Sequence, residues 1–118
     1  MKRLIVIDQD VEALNLINYC AVELKMDVYS SVDQLSAWEI EALRPDILFI
    51  DCALSRKDGA CICAQLKSNA ANKDLRIAVM STLPQDKSSL TQQYADRYLR
   101  KPLDKQALQT TLHSLIIS

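Results

Sequence analysis

The chain has 118 residues, of which 49% are hydrophobic and 25% are charged, so residues 1–118 have the size and composition of one globular domain with its own core. The formal net charge of −1 provides no basic field that would attract nucleic acid or an anionic membrane surface. No apolar run approaches the length of a membrane span or of a secretory signal, which predicts a cytoplasmic protein.

The first part of the chain alternates short apolar runs with helical patterns. Strands are predicted over residues 4–7, 26–30 and 47–50. Two helices are predicted between them, and the second must end before Pro45, because the residue before a proline avoids the helical region. Their apolar stripes are predicted to be Leu14, Ile17, Ala21 and Leu24 in the helix over residues 11–24, and Leu35, Trp38 and Ala42 in the second helix.

The second part of the chain continues the same alternation. A polar segment, residues 86–95, is predicted to form a helix with few apolar anchors, and therefore the least stable one. The other predicted elements are a turn at Asp58-Gly59, a helix over residues 60–68, strands over 75–80 and 97–100, and a last helix that Asp104 caps and whose Leu108, Leu112 and Leu115 face inward.

This alternation predicts an α/β fold. Parallel strands joined by helices cross over in the right-handed sense and are covered by helices on both faces, which gives an open, doubly wound sheet. In such sheets the ligand site lies at the carboxyl ends of the strands. Polar side chains follow the apolar runs at this edge, where we expect them to converge on one pocket: Asp8, Gln9, Asp51, Ser81, Thr82 and Lys101.

These side chains suit phosphoryl chemistry. Carboxylates gathered in a pocket repel one another, so the site favours a divalent cation, and oxygen ligands suit Mg²⁺. Asp8 and Asp51 are the candidate protein ligands. A carboxylate can attack phosphorus when a metal, an ammonium and a hydroxyl group neutralise the phosphoryl oxygens. Lys101 and Ser81 supply the last two groups.

The segment PDILFIDCALSRKDG, residues 45–59, resembles the phosphoacceptor strand and loop of response-regulator receiver domains of two-component signalling. The segments VMST, residues 79–82, and YLRKP, residues 98–102, are similar to two further motifs of that family. The resemblance covers essentially the whole chain. It implies a flavodoxin-like (βα)5 fold with strand order 2-1-3-4-5, in which Asp51 is the phosphoacceptor.

The resemblance also implies roles for the residues around Asp51. Ser81 and Lys101 would contact the phosphoryl group, Ser81 and Tyr98 would be the switch residues, and the peptide bond after Lys101 is typically cis in the family. The implied metal ligands are Asp8, Asp51 and the backbone carbonyl oxygen of Ala53.

By the same resemblance, a histidine kinase or a phosphotransfer protein would phosphorylate Asp51 in the presence of magnesium. Phosphorylation would change the face formed by the helix predicted over residues 86–95, the fifth strand and the last helix. That face would signal to a downstream protein or output domain, and it is where the family leads us to expect any homodimer. Such a domain is not an enzyme in the usual sense, because it catalyses only its own phosphorylation and dephosphorylation.

Gln9 departs from the family pattern, in which the first loop carries two adjacent acids. The Gln9 amide oxygen is a neutral ligand, so we expect weak magnesium binding and a high magnesium requirement for phosphorylation. Two functions remain open: a phosphorylated switch, and a pseudo-receiver that binds a partner without phosphoryl transfer. We favour the switch, because the nucleophile Asp51 and the groups of Ser81 and Lys101 are all present.

A third reading starts from VIDQD, residues 6–10, which also resembles the nucleophile motif of haloacid-dehalogenase-type phosphatases. In that family Asp8 would be the nucleophile and Asp10 the acid/base. This reading leaves Asp51 without a role, and Asp104 is the only acid after Lys101 that could serve the further metal motif. Asp10 also has a structural alternative, which is to cap the first helix.

Overall fold

The computed structural model describes residues 1–51, 58–82 and 94–117. These ranges contain a five-stranded parallel sheet with the order β2-β1-β3-β4-β5, so the predicted flavodoxin-like fold is confirmed. Its strands are β1 (Arg3–Ile7), β2 (Asp27–Ser31), β3 (Ile47–Asp51), β4 (Arg76–Ser81) and β5 (Arg97–Arg100).

Helices cover both faces of this sheet. Those in the described ranges are α1 (Val11–Glu23), α2 (Ala37–Leu43), α3 (Asp58–Ser68) and the C-terminal helix α4 (Lys105–Ile117), with a short 3-10 helix at Ala70–Asn72. Within the same ranges, each helix is too short or too polar to cross a bilayer.

Side-chain caps fix the starts of α1 and α4. The Asp10 carboxylate accepts hydrogen bonds from the backbone N–H groups of Glu12 and Ala13, so its predicted capping role is confirmed. Asp104 caps α4 through the N–H of Ala107, at 3.1 Å, as predicted. A cap of this kind contributes about 1 kcal/mol to helix stability.

The core has two halves, one on each side of the sheet. Residues of β1 alternate between them: Leu4 packs with α1 and α4, whereas Ile5 packs with α2 and α3. The side chains predicted to face inward from α1 and α4 do so, and those of α4 are at most 2% exposed. β1 and β3 are buried on both faces, which explains why their sequences are continuous apolar runs.

The apolar stripe predicted for the second helix is wrong. Trp38 is 73% exposed, Ala42 is exposed, and Leu35 precedes the helix and only partly packs against the core. The buried residue is Ile40, with Ala37 and Leu43 partly buried one turn before and after it. This face buries aliphatic carbon without burying an indole N–H, which would need a hydrogen-bond partner.

Two predicted boundaries are also corrected. Helix α3 begins at Asp58, so Asp58 and Gly59 lie in its first turn and not in a separate turn before it. Tyr94 and Ala95 are not helical, so the helix predicted over residues 86–95 cannot extend through them. The rest of that prediction, residues 86–93, lies outside the described residues.

Candidate functional site

Three of the predicted site residues lie at the carboxyl ends of adjacent strands. Asp8 follows β1, Asp51 ends β3 and Ser81 ends β4. The sheet order places β1, β3 and β4 side by side, so these residues lie at one edge. Asp8 is 1% exposed, and Asp51 and Ser81 are each 6% exposed. They are the only polar or charged residues that are fully buried in the described part of the chain.

Lys101 follows β5, and its side chain reaches across the ends of the neighbouring strands. Its backbone N–H donates to the carbonyl oxygen of Ser81 at 2.8 Å, and the Lys101–Pro102 peptide bond is cis. The Lys101 Nζ atom lies 2.6 Å from Asp8 Oδ2 and 3.1 Å from Asp51 Oδ1. The structure therefore brings Asp8, Asp51 and Lys101 into direct contact, and we call these three residues the ion trio.

Two carboxylates of the ion trio share one ammonium group. Burial lowers the pKa of Lys101, but the close contacts of its ammonium group with the carboxylates of Asp8 and then Asp51, and the negative charge of both, outweigh this effect, so the pKa is raised above its ordinary value. Lys101 is therefore protonated at neutral pH. With both carboxylates ionised, the ion trio carries one negative charge that it does not neutralise itself, in a place that water scarcely reaches.

This surplus negative charge fits a divalent cation. Asp8 Oδ2 is buried and receives no well-aligned hydrogen bond from the described residues, although the Lys101 ammonium lies beside it. The other oxygen, Asp8 Oδ1, accepts the N–H of Asp10 at 2.9 Å. The described ranges hold no cluster of three or more His, Cys, Asp or Glu side chains around one point. Any further ligands that the described residues supply to a cation at Asp8 and Asp51 would therefore be backbone or amide oxygens, with water completing the set.

The remaining loop residues differ in where they lie. Gln9 and Thr82 are both exposed, each next to a buried residue of the site. Asp10 directs its carboxylate to the start of α1, which favours the capping role and argues against the acid/base role that a phosphatase would need. Ala53 lies outside the described residues.

Tyr98 lies on β5 and is partly buried. It is level with Val79 of β4, two residues before Ser81, and packs against the half of the core that contains α2 and α3. Of the face that the family resemblance assigns to signalling, the structure describes β5 and α4.

Sequence reasoning did not single out Asp96, which anchors the start of β5. Its Oδ2 atom accepts the backbone N–H of Ile77 at 2.7 Å and the ammonium of Lys67 at 3.1 Å. Lys67 also donates to the carbonyl oxygen of Leu75, at 2.9 Å. The strand that carries Tyr98 is thereby tied to β4 and α3. An acid directly before a predicted strand is a weak signal, because most such residues simply face water.

Comparison with known families identifies this arrangement. Residues 4–113 match the model of one protein family, the response regulator receiver domain. The chain belongs to this family. Receiver domains are the signalling domains of two-component response regulators, so membership carries the general function of the chain.

Two curated relatives agree with this membership. The DNA-binding dual master transcriptional regulator RpaA of Synechocystis sp. is 27% identical over 98% of this chain and 49% of its own length. Protein PilG of Pseudomonas aeruginosa is 33% identical over 70% of this chain and 63% of its own length. The receiver domain thus matches about half of the first relative and less than two thirds of the second.

Solved receiver domains have the same fold. The signal receiver domain of a DNA-binding response regulator from Colwellia psychrerythraea 34H covers all of both chains with a TM-score of 0.84 and 20% identity. The receiver domain of the sensor histidine kinase PA1611 from P. aeruginosa, solved with magnesium in its active-site cleft, has a TM-score of 0.81 and 21% identity, over 99% of this chain and 98% of its own.

Proposed function

We propose that this receiver domain is a phosphorylated switch in which Asp51 accepts a phosphoryl group. The observation that carries the proposal is the ion trio, in which a lysine whose side chain is only 10% exposed contacts the acceptor carboxylate and a second carboxylate at the carboxyl end of the sheet. If these charges only stabilised the fold, an ion pair at the protein surface would be enough, and the charged groups would not need to be buried. A buried trio with surplus negative charge suits a site that receives a cation and an electrophile.

The proposed reaction is transfer from a phosphohistidine of a histidine kinase or of a phosphotransfer protein. An oxygen atom of Asp51 attacks phosphorus, the P–N bond breaks, and its electron pair leaves on the imidazole nitrogen. Lys101 neutralises one phosphoryl oxygen through its ammonium group, and the Ser81 hydroxyl donates a hydrogen bond to another. The same three side chains govern hydrolysis of the aspartyl phosphate, so the domain acts on itself and not on a separate substrate.

Magnesium is the cofactor that this proposal requires. Asp8 and Asp51 would hold the ion, with the Ala53 carbonyl oxygen as the third protein ligand that the family resemblance implies. When bound, Mg²⁺ supplies positive charge that neutralises phosphoryl oxygens. The magnesium in the active-site cleft of the PA1611 receiver domain supports this assignment. Gln9 replaces a second acidic neighbour with a neutral amide, so we expect affinity for the ion to be weak.

Phosphorylation is proposed to act on partners through Ser81 and Tyr98. Ser81 moves toward the phosphoryl group and Tyr98 turns inward from its partly buried position, which changes the surface around β5 and α4. The receiver of this signal is a downstream protein or an output domain, or a second copy of the domain at that surface. The description of RpaA as a DNA-binding regulator supports a downstream output in that relative. We expect this signalling to take place in the cytoplasm.

A second candidate function rests on Gln9. If a neutral residue beside Asp8 prevents magnesium from binding, the domain is a pseudo-receiver that recognises its partner without phosphoryl transfer. Gln9 is exposed and lies next to the buried Asp8. The two candidate functions therefore depend on whether magnesium binds beside this neutral residue.

Intact mass spectrometry after incubation with a small-molecule phosphodonor and graded magnesium distinguishes these functions. We expect the wild-type chain to gain one phosphoryl group at high magnesium. The change Asp51→Asn abolishes the adduct, Asp8→Asn raises the magnesium requirement, and Gln9→Asp lowers it. Gln9→Asn is the matched control, because it keeps a neutral amide at the same position.

The opposite pattern has a clear meaning. If the wild-type chain gains no adduct at any magnesium concentration but Gln9→Asp does, the domain is a pseudo-receiver. If Asp51→Asn still gains the phosphoryl group, Asp51 is not the acceptor and the proposed reaction is wrong.

A further inference from the structure

The strand β2 forms one edge of the sheet, and its outer side is open in the described structure. It pairs with β1 alone. The N–H of Asp27 donates to the carbonyl oxygen of Lys2, and the carbonyl oxygen of Ser31 accepts the N–H of Asp8. In a parallel ladder alternate residues bond to the same neighbour, so Asp27, Tyr29 and Ser31 face β1. The backbone groups of Val28 and Ser30 therefore face outward.

The β2 edge has few of the features that usually prevent edge pairing, since Asp27 is its one charged residue. Its sequence, DVYSS, contains no proline and no lysine, and its register with β1 shows no bulge. Two apolar side chains on and next to the strand are partly exposed: Tyr29 of β2 is 45% exposed, and Val32, which follows β2, is 47% exposed. An open edge beside exposed apolar side chains is a surface that favours a further strand.

The aromatic side chains of this region lie on one side of the sheet. Tyr29 is level with Ile5, whose side chain packs in the half of the core that α2 and α3 cover. Trp38 projects from α2 into solvent on that same side. A strand added to β2 would therefore find Tyr29, and α2 with Trp38, on the same face.

From these observations we propose that a second copy of this chain pairs its β2 antiparallel to this β2, with the two Tyr29 residues opposite each other. The two sheets then form one continuous sheet across the dimer. This contact lies at the opposite edge from β5, so it is distinct from the homodimer surface that the family resemblance implies.

The hydrogen-bond pattern of β2 is complementary to itself in this register. Centring the pair on Tyr29 puts Val28 opposite Ser30 of the second copy, and Ser30 opposite Val28 of the second copy. Both members of each pair have outward-facing backbone groups, so each pair exchanges its N–H and C=O groups as antiparallel strands require. A symmetric antiparallel pair of β2 strands could be centred on any residue of β2. Only the pair centred on Tyr29 brings the outward-facing backbone groups of Val28 and Ser30 together.

Side chains and charges agree with the same register. The two Tyr29 residues form a pair without backbone hydrogen bonds, in which Cα atoms are about 4.5 Å apart and side chains approach most closely. Asp27 lies opposite Ser31 of the second copy, so no acid faces another acid, and Asp27 already contacts Arg3 at 2.8 Å. The twofold axis is perpendicular to the sheet, which places Trp38 of both copies on one face.

Amide hydrogen exchange on the unmodified chain tests the proposal directly. As the protein concentration rises, we expect exchange at the amides of Val28 and Ser30 to slow in parallel with dimer formation. The Tyr29 amide is the internal control, because it faces β1 and is expected to be protected at low and high concentration alike.

Sedimentation velocity on matched variants identifies the contact. Ser30→Pro removes an outward N–H without removing a hydrogen bond to β1, and Ser30→Ala keeps the N–H and is its control. Tyr29→Lys places like charges opposite each other. We expect a concentration-dependent dimer in the wild-type chain and in Ser30→Ala, and a monomer in Ser30→Pro and Tyr29→Lys.

Three results would overturn the proposal. One is a wild-type chain that stays monomeric at every concentration. Another is a dimer that persists in Tyr29→Lys, which would place the contact elsewhere. The third is dimer formation that leaves exchange at Val28 and Ser30 unchanged. Circular dichroism verifies that each variant is folded, and the exchange measurement decides the question if Ser30→Pro is not.

Discussion

The two ends of the sheet hold their charges in different ways. At the carboxyl end, the side chains of Lys101, Asp8 and Asp51 are 10%, 1% and 8% exposed, and two acids share one base. At the amino end, Arg3 and Asp27 pair one to one with 42% and 50% of their side-chain surfaces exposed. Lys67 and Asp96, near the start of β4, are intermediate, each at 25%.

The difference separates charges that are compensated within the fold from charges that are not. Near the amino end, Asp96 bonds to a backbone N–H as well as to Lys67, so its charge is compensated and links three elements. At the carboxyl end, the ion trio buries more negative charge than it neutralises. Such an arrangement lowers stability unless a further cation joins it, and sites of this kind are typically retained for function.

The largest effect is expected from Lys101→Met, which removes the base from the ion trio. Asp8 and Asp51 would then be buried beside each other without the ammonium group that they share, and breaking a buried ion pair in this way costs about 3–5 kcal/mol. Urea unfolding at neutral pH measures the loss. Lys67→Met is the matched control, because Asp96 keeps both water and the Ile77 N–H; equal losses in the two variants would remove the distinction between the two ends.

Asp96→Ala is expected to have the next largest effect. It leaves the Ile77 N–H without its side-chain acceptor, while the Lys67 ammonium keeps the Leu75 carbonyl oxygen, and an unsatisfied, partly buried polar group costs about 1–3 kcal/mol. Asp96→Asn is the control, because its amide oxygen still accepts the N–H of Ile77. Unfolding midpoints that fall equally in both variants would show that the lost charge, and not the lost backbone hydrogen bond, destabilises the protein.

The fold could be predicted from the sequence because its strongest signals are local. β1 and β3 are buried on both faces, so their apolar runs mark them without knowledge of the rest of the chain. The caps at Asp10 and Asp104 likewise depend on neighbouring residues alone. Helix α2 was predicted with the wrong face because seven residues provide few turns from which to read a period, and tertiary packing selected Ile40 over Trp38.

The sequence predicted that the side chains of the site lie together at the strand ends, but not how they contact one another. The ends of the apolar runs pointed to Asp8, Asp51 and Lys101, because parallel strands bring these ends to one edge. That Lys101 bridges both carboxylates depends on the reach of its side chain across the strand ends, which no spacing in the sequence encodes. The same holds for the contact between Asp96 and Lys67, which are 29 positions apart in the chain.

Asp51→Asn is expected to change stability with the opposite sign from Asp96→Ala. Its amide oxygen can still face Lys101, and the ion trio then has one acid for one base, so we expect the protein to gain about 1 kcal/mol. Thermal unfolding in the absence of divalent cations measures the gain. If added magnesium stabilises the wild-type chain more than Asp51→Asn, the surplus charge of the ion trio is what the ion neutralises, whereas equal responses would place the ion elsewhere.

The smallest effect is expected from Asp27→Ala at the amino end. Arg3 and Asp27 are both substantially exposed, and an exposed ion pair contributes about 0.2–1 kcal/mol, which salt screens. Arg3 also donates to the carbonyl oxygen of Leu43, so it keeps a partner in the variant. We therefore expect the difference in unfolding free energy between Asp27→Ala and wild type to shrink further in high salt. The loss in Lys101→Met is expected to persist in high salt, because the carboxylates of Asp8 and Asp51 are buried. A loss in Asp27→Ala that matched that of Lys101→Met and did not respond to salt would mean that burial does not separate the two ends of the sheet.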